Sequence, residues 1–117
     1  MIMREWRGRL PHDKVDDYFD YLKVTGISEY AATPGHRGTW VLLDREGDST
    51  EYTLLTLWES REAIRAFAGD DISRARYYPN DAQYFVEMPE RVRHYEVLAS
   101  ETCMSRTGRV FFNTLLE

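Results

Sequence analysis

Thr50-Glu51-Tyr52-Thr53-Leu54-Leu55-Thr56-Leu57-Trp58-Glu59-Ser60-Arg61-Glu62-Ala63-Ile64-Arg65-Ala66-Phe67-Ala68-Gly69 carries the decisive pattern. Its first part has a period of two, with Tyr52, Leu54, Thr56 and Trp58 on one side and Thr53, Leu55 and Leu57 on the other. That period is a strand, and apolar residues on both sides predict cover on both faces. At Ser60 the period changes. Ser60 suits a helix N-cap, Ala63, Ile64, Phe67 and Ala68 share one helical face, and Gly69 is a stop. A strand therefore passes into an amphipathic helix within two residues.

Upstream, Arg37 to Asp44 reads as a strand, with Trp40, Val41, Leu42 and Leu43 nearly continuous, as in a strand buried on both faces. Glu46-Gly47-Asp48-Ser49 joins it to the Thr50–Trp58 strand as a hairpin turn. Ile2 to Leu10 alternates as a first strand with Trp6 inward, while Arg4, Arg7 and Arg9 read as solvated strand residues. Asp13 to Thr25 follows as a helix with Val15, Tyr18, Phe19 and Leu22 on one stripe and Gly26 as its stop. Ile27 to His36 reads as a loop. Beyond Gly69, Asp70 to Tyr77 reads as one or two further helical turns, Pro79-Asn80-Asp81 as a break, and Arg91 to Leu98 as the last strand.

The order is βαββαβ, an α+β ferredoxin-like fold with a four-stranded antiparallel sheet and both helices on one face. The other face would be bare, yet the strands supply apolar residues for it. A second copy packed sheet to sheet, a homodimeric α+β barrel, resolves this. Residues 1–98 form the domain, and residues 99–117 an apolar arm that packs on its own body or on the partner.

With 117 residues there is room for one core. The net charge of −5 disfavours a nucleic-acid surface. No apolar run reaches a membrane span, and the N-terminus has no signal-peptide pattern. One cysteine, Cys103, excludes an internal disulfide. His12, His36 and His94 lack metal-ligand spacing, so no metal is expected. These features point to a cytoplasmic protein.

The junction Trp58 to Phe67 resembles the antibiotic biosynthesis monooxygenase-like family, as do the blocks Phe67-Ala68-Gly69-Asp70-Asp71, Tyr77-Tyr78-Pro79-Asn80-Asp81 and His94-Tyr95-Glu96-Val97. The resemblance spans Ile2 to Leu98 and implies a dimeric α+β barrel in a branch of mostly unassigned function. It also implies a cofactor-independent monooxygenase acting on an aromatic or polycyclic phenol. A non-catalytic dimer that binds a small hydrophobic ligand, or a purely structural dimer, stays open beside it. The family's haem degraders use an asparagine, a tryptophan and a histidine. The matching stretches here hold Trp6 and Arg7, Ala66 and Phe67, and Arg76 and Tyr77, so none is reproduced and no cofactor is expected.

His94 is the first catalytic candidate, because a neutral imidazole beside a pocket takes a phenol proton near pH 7. Tyr78 and Asp81 follow, the carboxylate as a group that would orient His94. Trp6, Trp40, Trp58 and Phe67 are candidate walls for a flat ring, and Arg76 and Tyr77 would orient a polar ligand. For each, core packing or local capping is the competing reading. His36 reads as a loop histidine and Cys103 as structural.

Overall fold

The computed structural model describes residues 1–101. Strands β1 (Ile2–Leu10), β2 (His36–Asp44), β3 (Thr50–Trp58) and β4 (Arg93–Glu96) form an antiparallel sheet in the order β2-β3-β1-β4. With helical segments between β1 and β2 and between β3 and β4, this is the ferredoxin-like arrangement. Of the predicted arm, residues 99–117, the part from residue 102 onward, with Cys103, lies outside the described residues. Among the described residues no helix is long and apolar enough to cross a membrane.

Directly opposed residues share a sheet face. Arg4, Trp6 and Gly8 of β1 oppose Thr56, Leu54 and Tyr52 of β3, and these form the face under the helices. Two apolar clusters fill the space above it. One holds Trp6, Leu10, Tyr18, Leu22, Tyr52 and Phe85. The other holds Tyr30, Trp58, Ile64 and Phe67.

The first helical segment differs from the expectation at Gly26. Helix α1 (Val15–Leu22) does not stop there; it passes through a π-turn at Lys23–Ile27 into α2 (Ser28–Ala32). Gly26 does not take the positive φ of a helix stop. It is buried, and a Cβ there would come within 3.0 Å of Leu22 and 3.4 Å of the Tyr30 hydroxyl. The helix ends instead before Pro34, which forces Thr33 into extended backbone (φ −90°, ψ 121°). The expected loop from Ile27 is thus half helix.

Helix α3 (Arg61–Ala68) begins as predicted, with the Ser60 Oγ accepting from the Ala63 N–H at 3.2 Å, and Gly69 (φ 91°) ends it. The further turns expected over Asp70 to Tyr77 are absent. Asp71 accepts from the N–H and hydroxyl of Ser73 at 3.1 and 2.6 Å, a local bond that competes with helix. The segment instead runs as a cover. The Ala75 N–H donates to Glu90 O and the Val92 N–H to Ser73 O, both at 2.8 Å, and further on the Val86 N–H donates to Arg9 O at 2.8 Å. The last strand is correspondingly shorter than the expected Arg91–Leu98, and Leu98 is fully exposed.

The second sheet face carries Met3 opposite Leu57 and Tyr95, Leu55 opposite Trp40, and Thr53 opposite Leu42. Neither helical segment reaches it. Strand β2 is therefore not buried on both faces as its sequence suggests: it is a sheet edge, with Leu42 44% exposed.

Candidate active site

A cavity of about 20 Å³ opens at the seam between the two apolar clusters. That volume holds about one water molecule. Arg4 and Trp6 of β1 and Leu54 of β3 make its floor. Tyr18, Leu22, Tyr30 and Phe67 wall it from the helices. Arg76, Tyr77, Tyr78 and Asp81 close it from the cover.

Arg4 is the central group. It sits on the helix side of β1 and is only 6% exposed, not on a solvated face as its sequence context suggests. Its Nη2 donates to the carbonyls of Ile72 and Arg74 at 3.3 and 2.8 Å. Its Nε is buried with no hydrogen-bond partner among the described residues. No carboxylate there pairs with it. Burial pushes its pKa down from the usual value, and Tyr30 opposes this; an arginine stays protonated even so. A buried cation without a counter-charge is costly and attracts an anion.

Asp81 is 2% exposed. Its Oδ2 accepts from the Tyr78 N–H at 2.6 Å and its own N–H donates to Tyr78 O at 3.0 Å, closing the turn between them, while its Oδ1 is buried without a hydrogen-bond partner among the described residues. Burial raises its pKa, against the Tyr78 N–H and the Tyr18 hydroxyl. The Tyr78 hydroxyl is likewise buried and without a hydrogen-bond partner among the described residues. The Arg76 guanidinium lies over the rings of Phe67 and Tyr78, 4.8 and 5.2 Å from their centroids. It donates to Phe67 O at 2.8 Å and pairs with Glu29 of α2, fastening the cover to the helices at the exposed mouth. The Tyr77 hydroxyl accepts from Trp6 Nε1 at 2.9 Å and donates to Pro89 O.

The six candidates Trp6, Phe67, Arg76, Tyr77, Tyr78 and Asp81 thus converge on the cavity. Three others do not. Trp40 lies on the opposite sheet face. Trp58 is fully buried in the second cluster, its Nε1 donating to Thr56 Oγ1 at 2.8 Å. His94 faces the helices from β4, opposite Arg4, but is not in the cavity lining, and Asp81 does not orient it. Arg4, Tyr18 and Tyr30 were not singled out from sequence. For Arg4 the signal was present, an arginine in phase with Trp6 and Leu10. For Tyr30 there was none, because its position depends on the π-turn.

Burial and the cations Arg4 and Arg61 hold His94 down at a pKa of about 4, so it is neutral at pH 7 and a weak base. Its ordinary value is 6.5, so the unfolded chain binds a proton that the folded protein refuses between these limits. The stability it contributes is therefore complete above pH 6.5 and is lost as the pH falls through that window. Thermal melts from pH 7 to 4 should show a steeper acid loss for the wild type than for His94→Gln, by up to one proton. Parallel curves would contradict the depressed value.

No family model and no curated protein sequence matches this chain. Solved structures do match it in fold. A candidate antibiotic biosynthesis monooxygenase from Nitrosomonas europaea superposes with a TM-score of 0.60 at 17% identity, over 85% of this chain and 100% of that one. The heme-degrader MhuD from Mycobacterium tuberculosis, with two hemes bound in its active site, gives 0.58 at 19% identity, over 87% and 100%. SnoaB, a cofactor-independent oxygenase from Streptomyces nogalater, gives 0.53 at 14% identity, over 87% and 96%. Among the described residues the cavity lining includes four tyrosines and neither histidine nor cysteine. From strand order to helix placement, the chain has the fold of the antibiotic biosynthesis monooxygenase-like proteins.

Proposed function

We propose that the protein is a cofactor-independent monooxygenase that binds a small phenolic aromatic as its anion at the Arg4 cavity. The observation that carries this reading is the buried Arg4 guanidinium, which among the described residues has no ion-pair partner and an unpartnered Nε, beside aromatic walls. A phenolate held there is stabilised by a preorganised charge in a dry site. An electron-rich phenolate can pass an electron to dioxygen without metal or flavin. The ligand oxygen takes the small cavity, and its ring takes the space now filled by the Tyr77–Tyr78 corner. The fold shared with SnoaB supports the same chemistry.

The cavity volume favours a second reading, a non-catalytic binder of the same ligand class, because the cover must move before a ring enters. An oxygen electrode and thermal melts with one- to three-ring phenols separate the two. Oxygen uptake together with a raised Tm is the expected result. A raised Tm alone, reaching about 2.7 kcal/mol of stabilisation at a hundredfold excess over Kd, carries the binding reading. Neither effect rejects both.

We also propose that the open sheet face pairs two copies. Met3, Trp40, Leu42, Leu55, Leu57 and Tyr95 share that face, flanked by Glu5, Arg7 and Arg93. A contiguous apolar patch rimmed by charge of both signs suits self-association. The single cysteine fits a cytoplasmic, reducing setting.

A further inference from the structure

We infer that Asp81, not His94, accepts the proton of the bound ligand's hydroxyl, and that Arg4 holds the oxygen left as an anion. This rests on reading the cavity as a phenol site. Two orphaned polar groups of opposite kind line one small cavity. Among the described residues Arg4 Nε is a buried donor without an acceptor, and Asp81 Oδ1 is a buried acceptor without a donor, the Tyr18 hydroxyl serving the same carboxyl group. A ligand hydroxyl reaching both would satisfy both, accepting from the first and donating to the second. A ligand group lacking either function would leave one of them unpaired, which is the stronger source of discrimination in a buried site.

The other titratable groups facing Asp81 do not compete for the proton. Tyr18, Tyr30, Tyr77 and Tyr78 surround it, and burial pushes every one of these hydroxyls up, so they stay protonated. Arg4 and Arg76 are cations. His94 lies outside the lining. In the transfer the ligand O–H bond breaks, the proton goes to Asp81 Oδ1, and the electron pair stays on the phenolate oxygen facing Arg4. Nothing is oxidised and the net charge of the complex is unchanged. The anion is then the species available to dioxygen.

That charge balance supplies a test independent of turnover. 4-Nitrophenol absorbs differently as phenol and phenolate. It would be titrated into the wild type at a pH where the free dye is mostly protonated. The expected result is a bound dye with the phenolate band and no proton released, seen as equal binding heats in buffers of different ionisation enthalpy. Release of about one proton per dye, or a bound dye that stays neutral, overturns the inference. In folded Asp81→Asn, the bound dye should ionise only with release of about one proton; behaviour like the wild type also overturns it. If the dye does not bind the folded wild type, the cavity reading itself fails, and Asp81 loses its role with it.

Discussion

Arg4→Met weakens 4-nitrophenol binding by about 10- to 150-fold while the protein stays folded. The magnitude follows from a charge-assisted hydrogen bond in a buried site, worth about 1.5–3 kcal/mol. Folding is expected to survive because the guanidinium has no carboxylate partner to orphan among the described residues. Methionine of similar volume removes a buried cation, which is often neutral or stabilising. Against that stands the loss of two bonds to the carbonyls of Ile72 and Arg74. Calorimetric titration and a thermal melt on the same sample separate these effects. Unchanged affinity with a lowered Tm would make Arg4 a clamp for the cover and remove it from ligand recognition. Arg4→Lys should fall between the two, since it keeps the charge but not the fork of donors.

Leu55→Arg should convert a dimer into a monomer. Leu55 lies on the central strand β3, opposite Glu5 on one side and Trp40 on the other, in the middle of the open face. In a two-fold pairing each copy would bring the new charge into the seam. Glu5 opposite is already paired with Arg7, so the new guanidinium has no free carboxylate there; an uncompensated buried charge costs about 3–5 kcal/mol, and the dimer should weaken by about 100-fold or more. Light scattering at micromolar concentration should give twice the chain mass for the wild type and one chain mass for the variant. A wild type that is already monomeric removes the sheet-to-sheet proposal. The helix-side core is untouched by the substitution, so the monomer should keep its secondary structure.

Strands set by a strict period of two were legible from sequence. Ile2–Leu10 and Thr50–Trp58 fall where their alternation ends, and Ser60 caps its helix as its residue type predicts. The failures came where a tertiary contact decided the outcome. Gly26 looked like a stop, but close packing against Leu22 and Tyr30 uses its missing Cβ inside a continuous helix. Leu42 and Leu43 looked buried, but the strand order puts them at an edge. For the site, Arg76, Tyr77, Tyr78 and Asp81 were legible as one cluster because they sit together at a chain break, whereas of the three tryptophans read as ring walls only Trp6 lines the cavity. His94 and Trp58 were not separable from it by sequence, because one position along a strand decides whether a side chain meets a cavity or solid packing.

The π-turn at Lys23–Ile27 has a bearing on how this site could change over evolutionary time. Such a turn is one residue more than an α-helix needs. An extra residue in a plain α-helix turns everything after it by about 100°. The wider π-turn takes that residue up locally, so the helix beyond it keeps its phase. Tyr30 thereby stays on the cavity wall and Glu29 beside Arg76. Lineages that share this wall should therefore tolerate a one-residue change of length across 23–27 without losing it.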